Sequence, residues 1–195
     1  MAFETILLIV GVFFLLLVIA FVVYFIAVYN GLVRLKNNIK KAMANIDVLL
    51  KQRTDELTKL IETVKGYARF ERKVLNEVVK ARTAFLNANT LAEKAKASDQ
   101  ITGALKSLFA VAENYPTLRS NENFKQLQDR ISGIENEIAD RREFYNDSVN
   151  TYNIRIQQIP DRFIAGMLHY GPEELFKAEE SERKDVKVDF SDISK

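Results

Sequence analysis

The chain has no cysteine, no tryptophan, a single histidine and only three prolines and seven glycines among its 195 residues. Each shortage excludes something. Without cysteine there are no disulfides, no thiolate nucleophile and no cysteine metal site. With His169 alone, no multidentate histidine site can form, and no Ser and Asp stand in a triad pattern around it. Helical bundles build di-metal sites from carboxylates and Glu-x-x-His pairs. Asp47, Glu62 and Glu71 supply carboxylates on helical stretches, but the chain has no Glu-x-x-His. Neither of the glycine-rich phosphate loops, G-x-x-x-x-G-K-[ST] or G-x-G-x-x-G, is present. The 28 basic and 26 acidic residues nearly cancel, leaving +2 and no electrostatic footprint for nucleic acid. The expectation is therefore no enzyme, no cofactor, no metal, no nucleic-acid partner and no small-molecule substrate. Few turn residues and almost no strand signals point to an all-α fold.

What the chain does have is an apolar run. Ile6 to Val28 is 23 residues without charge, Pro or Cys, and 19 of them are Ile, Leu, Val or Phe. As a helix it rises roughly 34 Å, enough for the ~30 Å hydrocarbon core of a bilayer. The uncharged stretch extends from Thr5 to Val33, and Tyr24 and Tyr29 stand near its end, where aromatic side chains anchor at the interface. A cleaved signal peptide needs a basic start, a shorter apolar core and a small-residue cleavage site. Met1-Ala2-Phe3-Glu4 has no basic residue, the core is too long and no A-x-A pattern follows. A retained transmembrane helix is predicted, with residues 1–5 as a short flank.

Flanking charge sets orientation. The N-terminal side has no Lys or Arg, whereas Arg34, Lys36, Lys40 and Lys41 follow the run. The positive-inside rule puts the N-terminus outside and the rest in the cytoplasm; a bundle on the periplasmic side is the alternative. The four basic groups form a candidate membrane-surface cluster, each worth ~1 kcal/mol near anionic headgroups.

Beyond the anchor, residues 29–160 read as an antiparallel up-and-down bundle of long helices. Leu32, Leu35, Ile39, Ala42, Ile46 and Leu49 alternate by three and four, the spacing of helices packed at small crossing angles. One rod is expected from the membrane to about Arg53. Thr54, with Asp55 and Glu56 after it, predicts a new helix start. That second helix carries Leu57, Leu60, Val64, Tyr67, Glu71, Val74, Val78, Ala81, Phe85 and Ala88 on one stripe. A third starts at Ser98 or Asp99 and stops at Pro116. A fourth starts near Ser120–Asn121 and runs through Phe124, Leu127, Ile131, Ile134, Ile138, Tyr145, Val149, Tyr152 and Ile156 to Pro160. Residues 161–195 read as a charged tail, partly disordered, with Phe163, Ile164, Met167, Leu168 and Phe176 as candidates to dock in short amphipathic pieces; from Pro172 onward 13 of 24 residues are charged.

Several stretches together resemble the LemA family, bacterial membrane-anchored helical proteins. They are Tyr29-Asn30-Gly31-Leu32-Val33, Ile46-Asp47-Val48-x-Leu50-Lys51-x-Arg53, Glu62-Thr63-Val64-Lys65-Gly66-Tyr67-Ala68 with Glu71, Ala81-Arg82, and Ala112-Glu113-Asn114-Tyr115-Pro116. Leu127-Gln128, Glu135-Asn136-x-Ile138-Ala139-x-Arg141-Arg142, Tyr145-Asn146 and Tyr152-Asn153 complete them. The resemblance implies one N-terminal membrane helix and a cytoplasmic or periplasmic bundle, and brings no established enzymatic activity. Two departures stand out. The Trp that the family usually has after the Ala of its first helix is Met43 here, and the Pro it tends to place at the second helix start is absent. The first helix break is therefore expected to be softer or shifted.

Two charges occupy core slots in otherwise apolar stripes: Glu71 and Arg141. Counted from Asp55 and Asn121 they are 16 and 20 residues along their helices, a mismatch of about 6 Å. A partly buried structural ion pair is expected, the other reading being that both snorkel to water. The Tyr-Asn pairs at 145/146 and 152/153 are one heptad apart. They read better as a core Tyr with an Asn bonding a neighbouring helix than as a recognition strip. The leading function is a single-pass, non-catalytic scaffold or interaction protein at the bacterial envelope. Its partners are the lipid bilayer and an unknown protein partner, or a second copy through self-association. The alternative is an accessory or sensor subunit of a membrane-associated enzyme or protease system.

Overall fold

The computed structural model describes residues 2–67 and 70–177. The stretch expected to be mobile, 181–195, with Val186, Val188 and Phe190, lies outside the described residues. Among the described residues there are six helices and no strand. They are α1 (Ala2–Lys65), α2 (Arg72–Leu86), α3 (Leu91–Ala112), α4 (Pro116–Arg119), α5 (Glu122–Arg155) and α6 (Asp161–Met167). The chain is all-α, and its apolar N-terminal helix continues into a bundle without interruption.

The run from the apolar stretch to Arg53 as one rod is as expected; its extension beyond Arg53 to Lys65 is the first departure. No helix starts at Thr54. A threonine caps only where the chain before it leaves helical geometry; inside a helix its hydroxyl turns back to the preceding turn. Thr54 Oγ1 donates to the Leu50 carbonyl at 2.8 Å, and Thr58 and Thr63 donate to Thr54 and Lys59 in the same way. The core stripe also runs straight through: Ile46, Leu50, Arg53, Leu57, Leu60 and Val64 alternate by four and three, and none has exposed surface. With no proline to force a break, α1 ends only at Gly66, a poor helix former. The second predicted helix is correspondingly shortened to α2.

The third helix also starts earlier than predicted. Thr90 caps α3 by accepting from the Glu93 amide, while the Glu93 carboxylate accepts from the Thr90 amide, a complete capping box. The Thr90 and Asn89 amides hold the Glu93 carboxyl below the usual carboxylate range. The fourth helix starts where expected, with Asn121 Oδ1 accepting from the Phe124 amide at 3.0 Å. Pro116 takes the first position of the short α4, where its missing N–H costs nothing.

The described residues fall into two compact units. One comprises 48–139 with residues 176 and 177. Its core joins Leu57, Leu60 and Val64 of α1 to Val74 and Val78 of α2, Ile101, Leu105 and Leu108 of α3, Leu118 of α4, and Phe124 and Ile131 of α5. The other comprises 2–47 and 140–175. Here Leu32, Ile39, Ala42 and Ile46 of α1 are buried, as are Tyr145, Val149, Tyr152 and Ile156 of α5 and Ile164 and Ala165 of α6.

In this second unit the large apolar side chains from Phe3 to Tyr24 are exposed all round the helix, Phe13 and Phe14 by 62 % and 67 %. Burial against protein begins at Val28. Among the described residues one helix is long and apolar enough to cross a membrane, and no part of its apolar window is buried by protein. A contiguous apolar surface of this size is not sustained in water, whereas a helix satisfies its own backbone in lipid. The same unit gives the single histidine a structural role. His169 has a φ of 54°, the Tyr170 amide returns to the Ala165 carbonyl at 2.9 Å and the His169 amide to Gly166 at 3.1 Å, so His169 closes α6 as a left-handed cap.

Candidate functional site

Two polar constellations stand out, one in each unit. In the unit of 48–139, Arg53 occupies a core slot of α1 and its side chain is fully buried. Nη1 donates to Glu135 Oε1 at 2.8 Å and Nη2 to Ser98 Oγ at 2.9 Å. The other carboxylate oxygen, Glu135 Oε2, accepts from Thr102 Oγ1 at 2.6 Å. Arg53, Ser98 and Glu135 thus tie α1, α3 and α5 together through a polar layer inside an apolar core. Three residues further along α1, the buried Glu56 takes Arg130 of α5 at 3.0 Å and its own neighbour Lys59 at 3.1 Å. As α1 advances from 53 to 56, its partner on α5 retreats from 135 to 130, so the two helices run antiparallel here. A buried pair of this kind contributes register more than net stability. An open groove of about 360 Å³, lined by Glu56, Lys59, Thr63, Asn123, Leu127 and Arg130, lies beside it.

In the other unit, α5 holds the chain that follows α6. Tyr145 Oη donates to the Glu174 carbonyl at 2.9 Å, and Tyr152 Oη to the Gly171 carbonyl at 3.2 Å. Between them, Asn153 grips Glu173 by both backbone groups: Nδ2 donates to its carbonyl and Oδ1 accepts from its amide, each at 2.9 Å. Lys36 of α1 closes the arrangement with Glu173 at 3.3 Å, its ammonium 4.5 Å from the Tyr170 ring centre. Residues 170–174 are therefore strapped along α5 through backbone hydrogen bonds. Burial pushes both phenols above their usual pKa, with the nearby Glu173 carboxylate adding to it.

Of the residues singled out from sequence, Glu71 is exposed and precedes α2 as its N-cap, in the unit of 48–139. Arg141 is exposed on α5, in the other unit. The register count that paired them took Asp55 as a helix start, and α1 runs through that position. Among the described residues the core of the unit of 48–139 holds charge at Arg53 and Glu56 instead, with the half-buried Glu135 against Arg53. In the basic cluster, Arg34, Lys40 and Lys41 are exposed, while Lys36 is half-buried and engaged by Glu173 and Tyr170. Tyr145 and Tyr152 are buried, as the heptad spacing predicts, but Asn153 bonds the strap instead of a helix. A signal for Arg53 was present: it fills the one missing slot between Leu50 and Leu57 once the stripe is not cut at Thr54. For the strap, the Tyr-Asn heptad marks the α5 side only, because its hydrogen bonds run to the backbone of 171–174. Among the described residues, no group of three His, Asp or Glu could hold a metal ion.

The LemA family model matches residues 42–190. The chain belongs to the LemA family. Among curated relatives, Protein LemA of Metamycoplasma hominis is 29 % identical over 178 residues, covering 89 % of this chain and 80 % of the relative. Magnetosome protein MamQ 2 of Paramagnetospirillum magneticum is 24 % identical over 186 residues, covering 82 % of this chain and 68 % of its own. Magnetosome protein MamQ of Magnetospirillum gryphiswaldense is 22 % identical over 184 residues, with 81 % and 68 % covered. The family match takes in Arg53 and Glu135 of the first constellation and Tyr145, Tyr152 and Asn153 of the second, but not Lys36.

Removing one partner of a buried ion pair strands the other. Glu135→Ala removes the carboxylate that Arg53 Nη1 and Thr102 Oγ1 bond and is expected to lower unfolding free energy by about 3–5 kcal/mol. The apolar double variant Arg53→Met/Glu135→Leu is expected to recover most of that loss. Denaturant titration of the full chain in detergent micelles measures both. For the strap, Asn153→Ala is expected to abolish exchange protection of the Glu173 amide, read by hydrogen–deuterium exchange. The phenol pKa values are raised in the fold, so their contribution is complete below the ordinary tyrosine value of about 10 and is lost as pH rises through the folded values. Wild-type strap protection should accordingly fall above about pH 10, through loss of the Tyr145 and Tyr152 donors.

Proposed function

We propose that this LemA-family protein is a single-pass, membrane-anchored scaffold without catalytic activity, its N-terminus outside and its helical domain in the cytoplasm. The observation that carries this reading is the continuity of α1: a stretch exposed and apolar on every face passes within one helix into the buried stripe from Leu32 onward. A helix without a linker transmits the position of the membrane to the residues packed on it, which suits presentation of helical faces at a fixed place. The orientation rests on Arg34, Lys40 and Lys41, which stay exposed just past the apolar run. The names of the relatives, LemA and MamQ, are not enzyme names.

The test is proximity labelling from a labelling enzyme fused after Lys195, compared with the same fusion on residues 1–41 alone, which keep the basic cluster. The expected result is a reproducible set of cytoplasmic-side membrane neighbours that the anchor alone does not give. A labelled set identical to the anchor-only control contradicts the scaffold reading, and labelling confined to external proteins contradicts the orientation.

A further inference from the structure

Three large apolar side chains stand out in the unit of 2–47 and 140–175: Ile159, Phe163 and Met167 are 77 %, 67 % and 70 % exposed. They are spaced by four residues, so Phe163 and Met167 share one face of α6, with Ile159 just before it. The opposite face is fixed: Asp161, Ile164 and Ala165 are buried. The position of α6 is set by Asp161. Its Oδ2 accepts from Arg155 Nε at 2.7 Å, and its Oδ1 from Tyr24 Oη at 3.4 Å. The Arg155 guanidinium in turn lies across Gly31 of α1, where an added Cβ would stand 2.7 Å from Nη2. A side chain at 31 would displace the guanidinium, the flexible end of Arg155.

Tyr24 is four residues, about 6 Å of helix rise, before the end of the apolar run at Val28, and its hydroxyl meets Asp161. This is the level at which hydrocarbon gives way to headgroups and at which aromatic side chains anchor. An exposed Phe, Met and Ile held there meet the interfacial layer instead of bulk water, and the exposed Arg162 beside them can reach a lipid phosphate. We propose that α6 is a second membrane contact, with Ile159, Phe163 and Met167 dipping into the same bilayer that α1 crosses. The apolar surface of α6 is continuous in level with the end of the span, and Asp161 is the clamp that keeps it there. This inference rests on the reading of residues 6–28 as a membrane span.

The absence of cysteine makes the test clean. Single variants Phe163→Cys, Met167→Cys, Leu16→Cys and Glu143→Cys of the full chain carry an environment-sensitive fluorophore in phosphatidylcholine–phosphatidylglycerol vesicles containing spin-labelled lipids. The proposal expects a blue-shifted emission and several-fold quenching by shallow lipid labels at 163 and 167, quenching by deep labels at 16, and neither at 143. Quenching at 16 with water-like emission at 163 and 167 overturns the second contact alone. A blue shift at 163 without lipid quenching means protein covers α6, and overturns it too. No quenching at 16 overturns the span and the inference together.

Discussion

One helix has to satisfy two solvents. In lipid, α1 needs apolar side chains on every face and all its backbone hydrogen bonds made internally. From Val28 on it needs a single apolar stripe and polar remaining faces. Both demands are met without leaving helical geometry, because neither includes a proline or a capping residue that captures the chain. The first buried residues, Val28 and Leu32, follow the last fully exposed ones within two turns. The packing of both units draws on this helix, through Leu32 to Ile46 in one and Leu50 to Val64 in the other.

A long apolar stripe carries little information about register, since neighbouring heptads are nearly equivalent. The polar layer supplies it. Arg53 can meet Glu135 and Ser98 in one alignment only, and a shift of one heptad would leave a guanidinium buried among aliphatic side chains, at a cost of several kcal/mol. In the other unit the Tyr-Asn heptad does a comparable job for an irregular segment. Residues 170–174 have no periodicity with which to pack, so they are held by side chains that read only backbone, Tyr145, Tyr152 and Asn153.

The fold was largely legible in the sequence because the stripes are long and the apolar run is unambiguous. The errors came from local signals that tertiary packing overrode. Thr54-Asp55-Glu56 has the composition of a helix start, yet its threonine back-bonds within α1. Ser98 looks like a cap, yet it lies in the core on Arg53, and Thr90 caps instead. A helix start at Thr54 takes Arg53 out of the stripe and leaves Glu71 and Arg141 in the apparent core slots, although both are exposed. The strap and α6 were less legible still, since the level of α6 is set by Asp161 meeting Tyr24, 137 residues away in the chain.

The account depends most on α1 being one helix from the apolar stretch into the domain. Amide hydrogen exchange on the full chain in lipid vesicles, resolved residue by residue from Tyr24 to Gly66, measures this directly. Continuous protection through Tyr29–Val33 and through Lys51–Asp55, ending at Gly66, is the predicted result. A stretch of rapidly exchanging amides at either place would mean a hinge, and would contradict it.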